Sequence, residues 1–264
     1  MQIFKGHAYG NDFLLTPLDE TVGTTGRAEL ARALCHRHHG VGADGLIFYT
    51  IARRTATMVL FNADGSASEL SGNGVRCLGA LVARTQRLAG GNVVRVATDA
   101  GEKRLELQAV DGARYTFRTH LGEPTEVRQV QLTAAGEQVT ATVLGMGNPQ
   151  CVVLGPLPAR QRFETLGPAL ATHEFFPAGT NVEFASVTSA ERVQILIWER
   201  GVGPTTSSGT GPAASAVAAA AHGGASRDVL VEAPGGTQRV EWRDDGVYLT
   251  GWAELVLEGR WITP

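Results

Sequence analysis

The sequence predicts an α+β chain built as two homologous domains, and three observations carry that expectation. Short β-type runs are numerous and are separated by glycine, of which there are 33 in 264 residues. Helix-period segments are few, so the order is not the regular strand-helix alternation of a doubly wound nucleotide fold. A glycine-rich helix start also occurs twice: Ser71-Gly72-Asn73-Gly74 runs into an apolar helical stretch, and Ser208-Gly209-Thr210-Gly211 does the same about half a chain later. A repeat of that length points to a duplicated domain, because solenoid units recur at much shorter periods.

Taken in order, the helical segments fall at Arg27–His36, Val75–Leu88, Pro158–Leu166 and Pro212–His222. In each, apolar residues recur at helical spacing. β-branched or alternating runs place strands at Val93–Thr98, Arg104–Ala109, Tyr115–Arg118, Gln138–Leu144, Cys151–Leu154, Asn181–Val187, Val193–Trp198, Val229–Glu232, Arg239–Trp242 and Val247–Gly251. The expected division is residues 1–112 plus a last strand at 254–264 for one half, and 113–253 for the other.

Composition removes several function classes. Lys plus Arg number 23 against 26 Asp plus Glu, a formal charge of −3, which leaves no excess to hold a nucleic-acid backbone. Hydrophobic residues at 43% and charged residues at 19% describe an ordinary folded chain. The longest apolar stretch, around Ala216 to Ala221, is far shorter than the roughly 20 residues of a membrane span, and Lys5, His7, Asn11 and Asp12 interrupt the segment where a signal peptide would be apolar. A cytoplasmic setting, with no nucleic-acid or membrane partner, is the expectation. Cys35, Cys77 and Cys151 are an odd number without paired spacing, so they are expected as reduced thiols. No metal site is expected: on a helix the run Cys35-His36-Arg37-His38-His39 points its side chains in different directions.

The two glycine-rich loops suggest a chemistry. Each ends at a helix N-terminus, where backbone N–H groups lack intrahelical partners and the helix dipole is positive. Such a loop receives a carboxylate or phosphate without a charged side chain. Two such loops sharing one small carboxylate would place its neighbouring carbon between Ser71 and Ser208. That arrangement suits removal of a proton from one side of a stereocentre and its return from the other.

Eight strings then carry a family resemblance. Lys5-Gly6-His7-Ala8-Tyr9-Gly10-Asn11-Asp12-Phe13, Phe61-Asn62-Ala63-Asp64-Gly65-Ser66, Gly72-Asn73-Gly74-Val75-Arg76, Gly147-Asn148-Pro149, Thr180-Asn181-Val182-Glu183-Phe184, Glu199-Arg200-Gly201-Val202-Gly203, Gly209-Thr210-Gly211 and Pro234-Gly235-Gly236 stand in the order found in diaminopimelate epimerases. The chain resembles that family over nearly its whole length. The resemblance implies two pseudo-symmetric domains, each a curved mixed or antiparallel sheet around a central helix. It implies cofactor-independent conversion of LL-2,6-diaminopimelate to the meso form, a step of lysine and peptidoglycan precursor synthesis, and a homodimer.

It also implies site residues. Asn62, Asn148, Asn181 and Arg200 match the side chains that grip the unreactive end of the substrate, with Arg200 suited to a bidentate carboxylate pair. Asn11 matches the Asn beside the reacting centre and Glu199 the carboxylate next to the catalytic pair. The amides of Gly72, Asn73, Gly209 and Thr210 match those that hold the reacting carboxylate. Ser71 and Ser208 occupy the two positions where the family usually carries its catalytic cysteines, and Gln150 stands where it carries a histidine. A hydroxyl is a far weaker acid than a thiol and ordinarily needs a base beside it. Two alternatives therefore stand beside epimerisation: an isomerase of another amino acid, and a binding protein that kept the grip and lost the chemistry. Cys77 and Cys151 read as packed small hydrophobes and not as substitute nucleophiles.

Overall fold

A computed structural model of the chain describes residues 1–18, 23–69 and 71–262. The chain divides into two units, Met1–Thr119 with Gly251–Pro264, and His120–Thr250. In the first, β1 (Gln2–Ala8) and β2 (Asn11–Pro17) form an antiparallel hairpin. Its turn residues Tyr9 and Gly10 have φ of 55° and 89°, the tight connection whose twist suits paired strands. Helix α1 (Thr24–Cys35) leads to β3 (Gly45–Ala52), which is parallel to β2 and antiparallel to β4 (Thr55–Asn62). After β5 (Ala67–Ser68), helix α2 (Gly72–Thr85) leads to β6 (Val93–Thr98), parallel to β4, and then to the antiparallel β7 (Gly101–Asp111) and β8 (Arg114–Gly122).

The second unit opens with β9 (Thr125–Ala134) and then repeats that order. The hairpin of β10 (Glu137–Gly145) and β11 (Pro149–Leu154) is followed by α3 (Arg160–Ala171) and by β12 (Asn181–Ser189), parallel to β11. Next come β13 (Arg192–Glu199), antiparallel to β12, the short β14 (Gly203–Thr205) and helix α4 (Gly211–His222). β15 (Asp228–Ala233) returns parallel to β13, and β16 (Gly236–Arg243) and β17 (Gly246–Arg260) close the meander. The fold is α+β, with few helices to many strands, and both units follow one connection plan.

Each unit is organised by a buried helix. Residues Asn73 to Ala83 of α2 are all buried, and Leu78 and Leu81 share a core with Leu105 and Phe117. In α4, Gly211 to Ala219 are all buried, and the side chains are almost all small: Ala213, Ala214, Ala216 and Ala218 pack with Val152, Ile195, Val231 and Leu249. Burial on every side is what lets a helix be apolar all round. No helix among the described residues is long and apolar enough to cross a membrane.

The boundaries differ from those read in the sequence, and strand pairing explains why. β8 pairs with β7 as far as Thr119, so the first unit runs past residue 112. β17 pairs with β16 up to Thr250 and with β1 from Glu254, so a single strand leaves one unit and finishes in the other. Helix ends also move. α2 stops at Thr85 and not Leu88, because Arg87 takes φ 52° and the Leu88 amide turns back to the Ala83 carbonyl, a left-handed stop. α3 runs to Ala171 through Pro168, beyond the expected end at Leu166, since Leu166, Leu170 and Ala171 on its inner face are buried. Among the described residues seven strands, β1 to β5, β9 and β14, lie outside the runs that the sequence predicts.

Candidate active site

The first unit contributes the loop before α2 and the start of β2. Ser71 is the N-cap of α2: its backbone is extended, with φ −134° and ψ 120°, and its Oγ accepts the Gly74 amide at 3.1 Å. Asn11 and Asn73, two more predicted residues of this unit, are tied into a relay. Arg37 Nη2 donates to Asp44 Oδ1 at 2.8 Å, Asn11 Nδ2 donates to Asp44 Oδ2 at 2.8 Å, and Asn73 Nδ2 donates to Asn11 Oδ1 at 3.1 Å. The Asn73 oxygen accepts in turn from Arg76, whose guanidinium is buried in the helix. Burial pulls the Arg76 pKa down. Asp12 meets Lys5 at 2.9 Å and Arg37 at 3.0 Å, and these cations outweigh its burial to hold its carboxyl below the usual range. Asn62, at the end of β4, is exposed and donates to Ser66 Oγ at 2.9 Å.

The second unit contributes Asn148, Asn181, Glu199, Arg200, Ser208, Gly209 and Thr210. Ser208 Oγ accepts the Gly211 amide at 3.1 Å and the Thr210 amide at 3.3 Å. The Thr210 amide, expected to cradle a ligand carboxylate, is thus engaged by Ser208 because the hydroxyl caps the open first turn. Arg200 is fixed through its own backbone, whose amide donates to Asn181 Oδ1 at 2.9 Å, and through Nη1, which donates to the Ala178 carbonyl at 2.9 Å. It lines a cavity of about 370 Å³ together with Phe176, Ala178, Gly179 and Trp198. Glu199 Oε1 accepts from Thr205 Oγ1 at 3.2 Å, and burial outweighs that bond to raise its pKa.

Behind these residues lies a buried polar cluster. One end of the wholly buried Gln150 amide lies 2.5 Å from Asn148 Oδ1 and 3.0 Å from Thr210 Oγ1. The other end of its amide faces Glu183, 3.1 and 3.3 Å from the two carboxyl oxygens. Glu183 is 0% exposed, and burial, with the charge of Glu199 adding to it, drives its pKa well above the usual carboxylate range. A Cβ added at Gly211 would lie 2.7 Å from Glu183 Oε1 and 3.3 Å from Ser208 Cβ, so only glycine lets the start of α4 approach this carboxyl.

The remaining candidates behave as packing groups. Burial pushes the Cys77 thiol up to about 12 and raises that of Cys151 further still, the Glu183 charge adding to the latter. Neither is available as a thiolate near neutrality. In the histidine run, His36 Nδ1 accepts the amides of His38 and His39 at 3.2 and 2.9 Å, and the His36 and His39 rings stack with centroids 4.5 Å apart. His36 thus finishes the helix end.

With this geometry in hand, the comparisons are specific. The sequence profile of the diaminopimelate epimerase family matches residues 3–127 and 142–256. A diaminopimelate epimerase from Desulforudis audaxviator is 40% identical, covering 99% of this chain and 99% of its own. One from Desulfitobacterium hafniense is 38% identical, covering 98% and 97%.

The chain belongs to the diaminopimelate epimerase family.

It is an enzyme of the epimerase kind. Among solved structures, a predicted epimerase from Pseudomonas aeruginosa superposes with a TM-score of 0.77 at 12% identity, covering 100% of this chain and 99% of that one. A hydroxyproline epimerase from Agrobacterium vitis gives 0.71 at 17% identity, covering 98% and 91%; these two share the fold.

Within this diaminopimelate epimerase relative, sequence reasoning missed Glu183. The signal was an acidic residue inside the run Asn181-Val182-Glu183-Phe184-Ala185, every member of which is buried. Carboxylates are almost never fully buried without a partner. The capping role of Ser71 has a measurable consequence: Ser71→Ala removes the acceptor for the Gly74 amide and is expected to cost about 0.5–2 kcal/mol in urea unfolding. Ser71→Asp, which caps as well, should cost less than half of that.

Proposed function

We propose that the chain converts LL-2,6-diaminopimelate to the meso form without a cofactor, Ser71 and Ser208 serving as the two proton-carrying groups. One serine, as its alkoxide, takes the α-proton and becomes a hydroxyl, the electron pair left on carbon delocalises into the substrate carboxylate, and the hydroxyl of the other serine gives its proton to the opposite face and is left as the alkoxide, solvent exchange returning the pair to its starting state. Family membership at 40% identity across both chains is the observation that carries the reading. The site offers physical support. Each serine oxygen already receives backbone N–H groups at the first turn of a buried helix, one for Ser71 and two for Ser208. Hydrogen bonds to a developing alkoxide, together with a positive helix end, favour its charged form. The family resemblance assigns the polar grip to Asn62, Asn148, Asn181 and Arg200, and the reacting carboxylate to the amides of Gly72, Asn73 and Gly209.

The test is solvent deuterium exchange at the α-carbon with LL- and meso-diaminopimelate. Slow incorporation with both isomers is the expected result; none, at stoichiometric protein, overturns the proposal. One observation favours a second reading, binding without turnover. Both serine oxygens are committed as acceptors to backbone amides, Ser71 to that of Gly74 and Ser208 to those of Thr210 and Gly211. That reading predicts calorimetric affinity for diaminopimelate with no exchange, so the same pair of measurements separates the two.

A further inference from the structure

The amide of Gln150 lies between neighbours that make opposite demands. One end faces the two oxygens of Glu183, and the other faces Asn148 Oδ1 and Thr210 Oγ1. An amide end is either an N–H₂ donor or a carbonyl acceptor, so the state of Glu183 decides which way it is turned. If Glu183 carries a proton, its O–H donates to Gln150 Oε1, and Gln150 Nε2 donates to Asn148 and Thr210. Asn148 then has its oxygen satisfied and keeps its Nδ2 hydrogens for another acceptor. Thr210, having accepted, keeps its hydroxyl proton to donate elsewhere. If Glu183 is ionised, Gln150 turns over to donate to it. The Gln150 oxygen then uses the Thr210 proton and forces Asn148 to turn its nitrogen inward.

These two states differ in what the second unit offers a ligand. A carboxylate only accepts hydrogen bonds, so it is served by the first state and opposed by the second. The surroundings of Glu183 select the first. Among the described residues the ionisable groups that interact with it are Cys151 on β11 and Glu199 on β13, both acids, and the first turn of α4 carries no charged side chain, so none of these neighbours is a cation. The nearest helix amides, those of Thr210 and Gly211, are engaged by Ser208 Oγ. Asn181 Nδ2, 3.3 Å from the Asn148-facing end of Gln150, meets the Gln150 nitrogen donor to donor in the first state and would gain a bond in the second. One neutral hydrogen bond is a small gain against a fully buried charge with no cation among these neighbours.

We propose that Glu183 is a positioning residue that works as a neutral carboxylic acid, its proton fixing Gln150 so that Asn148 and Thr210 face the ligand as hydrogen-bond donors. This rests on reading the second unit as a carboxylate grip.

The test uses the full chain, calorimetry with meso-diaminopimelate and infrared difference spectroscopy. A protonated-carboxyl C=O band is expected at neutral pH and should vanish in Glu183→Gln. Glu183→Leu, which cannot donate to Gln150, should lose about tenfold in affinity. Glu183→Gln, whose N–H₂ donates as the acid does, should restore affinity to within about threefold of wild type. Should Glu183→Leu fail to fold, Gln150→Leu provides the variant without the relay. Wild-type affinity should fall as pH rises through the elevated Glu183 value, and that fall should be absent in Glu183→Gln. A missing band, or a loss in Glu183→Gln equal to that in Glu183→Leu, overturns the proposal. If the wild type binds neither isomer, the diaminopimelate reading fails by itself; the Glu183 assignment then stands with the band and falls without it.

Discussion

Replacing Ser71 and Ser208 together by cysteine is expected to raise α-proton exchange on diaminopimelate by about 10²–10⁴-fold, the span that a well-matched general acid–base pair contributes. The reasoning is one of acidity. A thiol near 8.5 is lowered by a helix N-terminus into the range where an appreciable fraction is thiolate at neutral pH, while a hydroxyl in the same place remains protonated. The backbone is already suited to this, because the Gly74 amide points at the Ser71 oxygen and the Gly211 amide at the Ser208 oxygen, and a thiolate sulfur accepts such bonds. Each single variant should gain much less, since inversion needs a competent group on both faces of the carbon. Exchange and epimerisation measured on the same samples check this. A double variant no faster than the wild type would mean that the two loops do not serve one reaction.

Arg200→Ala is expected to weaken diaminopimelate binding by about 1.5–3 kcal/mol, or roughly 10- to 100-fold, the scale of a hydrogen-bonded charge contact. The side chain is held at its root and at one guanidinium nitrogen, by Asn181 and by the Ala178 carbonyl, which leaves Nε and Nη2 as a paired donor edge. Its stem lies along the loop at Gly179, where φ is 71° and an added Cβ would sit 3.0 Å from Arg200 Cδ. Arg200→Lys should recover little, because an ammonium cannot present two parallel donors. Arg200 is exposed, so the melting temperature should barely move. Calorimetry decides the matter, and an Arg200→Ala affinity equal to wild type removes this residue from the grip.

Much of the fold could be read in the residues because strand alternation and helix starts are local signals. The strand at Val93–Thr98 keeps its predicted bounds, and both glycine-rich loops do open buried helices. β2 and β3 escaped because burial erases their alternation: residues Asp12 to Thr16 of β2 and Gly45 to Tyr49 of β3 are buried without a break. β9 escaped for the opposite reason, since only Leu132 and Ala134 of its ten residues are buried. At the site, residue identities were legible and their mutual arrangement was not. Gln150 looked like the loss of an imidazole, yet three-dimensional contacts place it between Glu183 on one side and Asn148 and Thr210 on the other. Hydrogen-bond polarity of that kind depends on neighbours far apart in the chain, and no spacing rule reports it.

The long strand β17 has a temporal consequence. Its second half completes the first unit beside β1, and the chain ends are tied there by the Met1 amine to the Trp261 carbonyl at 3.0 Å. During synthesis the amino-terminal portion therefore emerges first yet waits for residues 254–260 to pair beside β1, whereas the stretch from His120 to Thr250 is released with all its own strands in hand. Translation order and completion order are reversed, and a prematurely terminated product would leave its earliest-made half with an open edge.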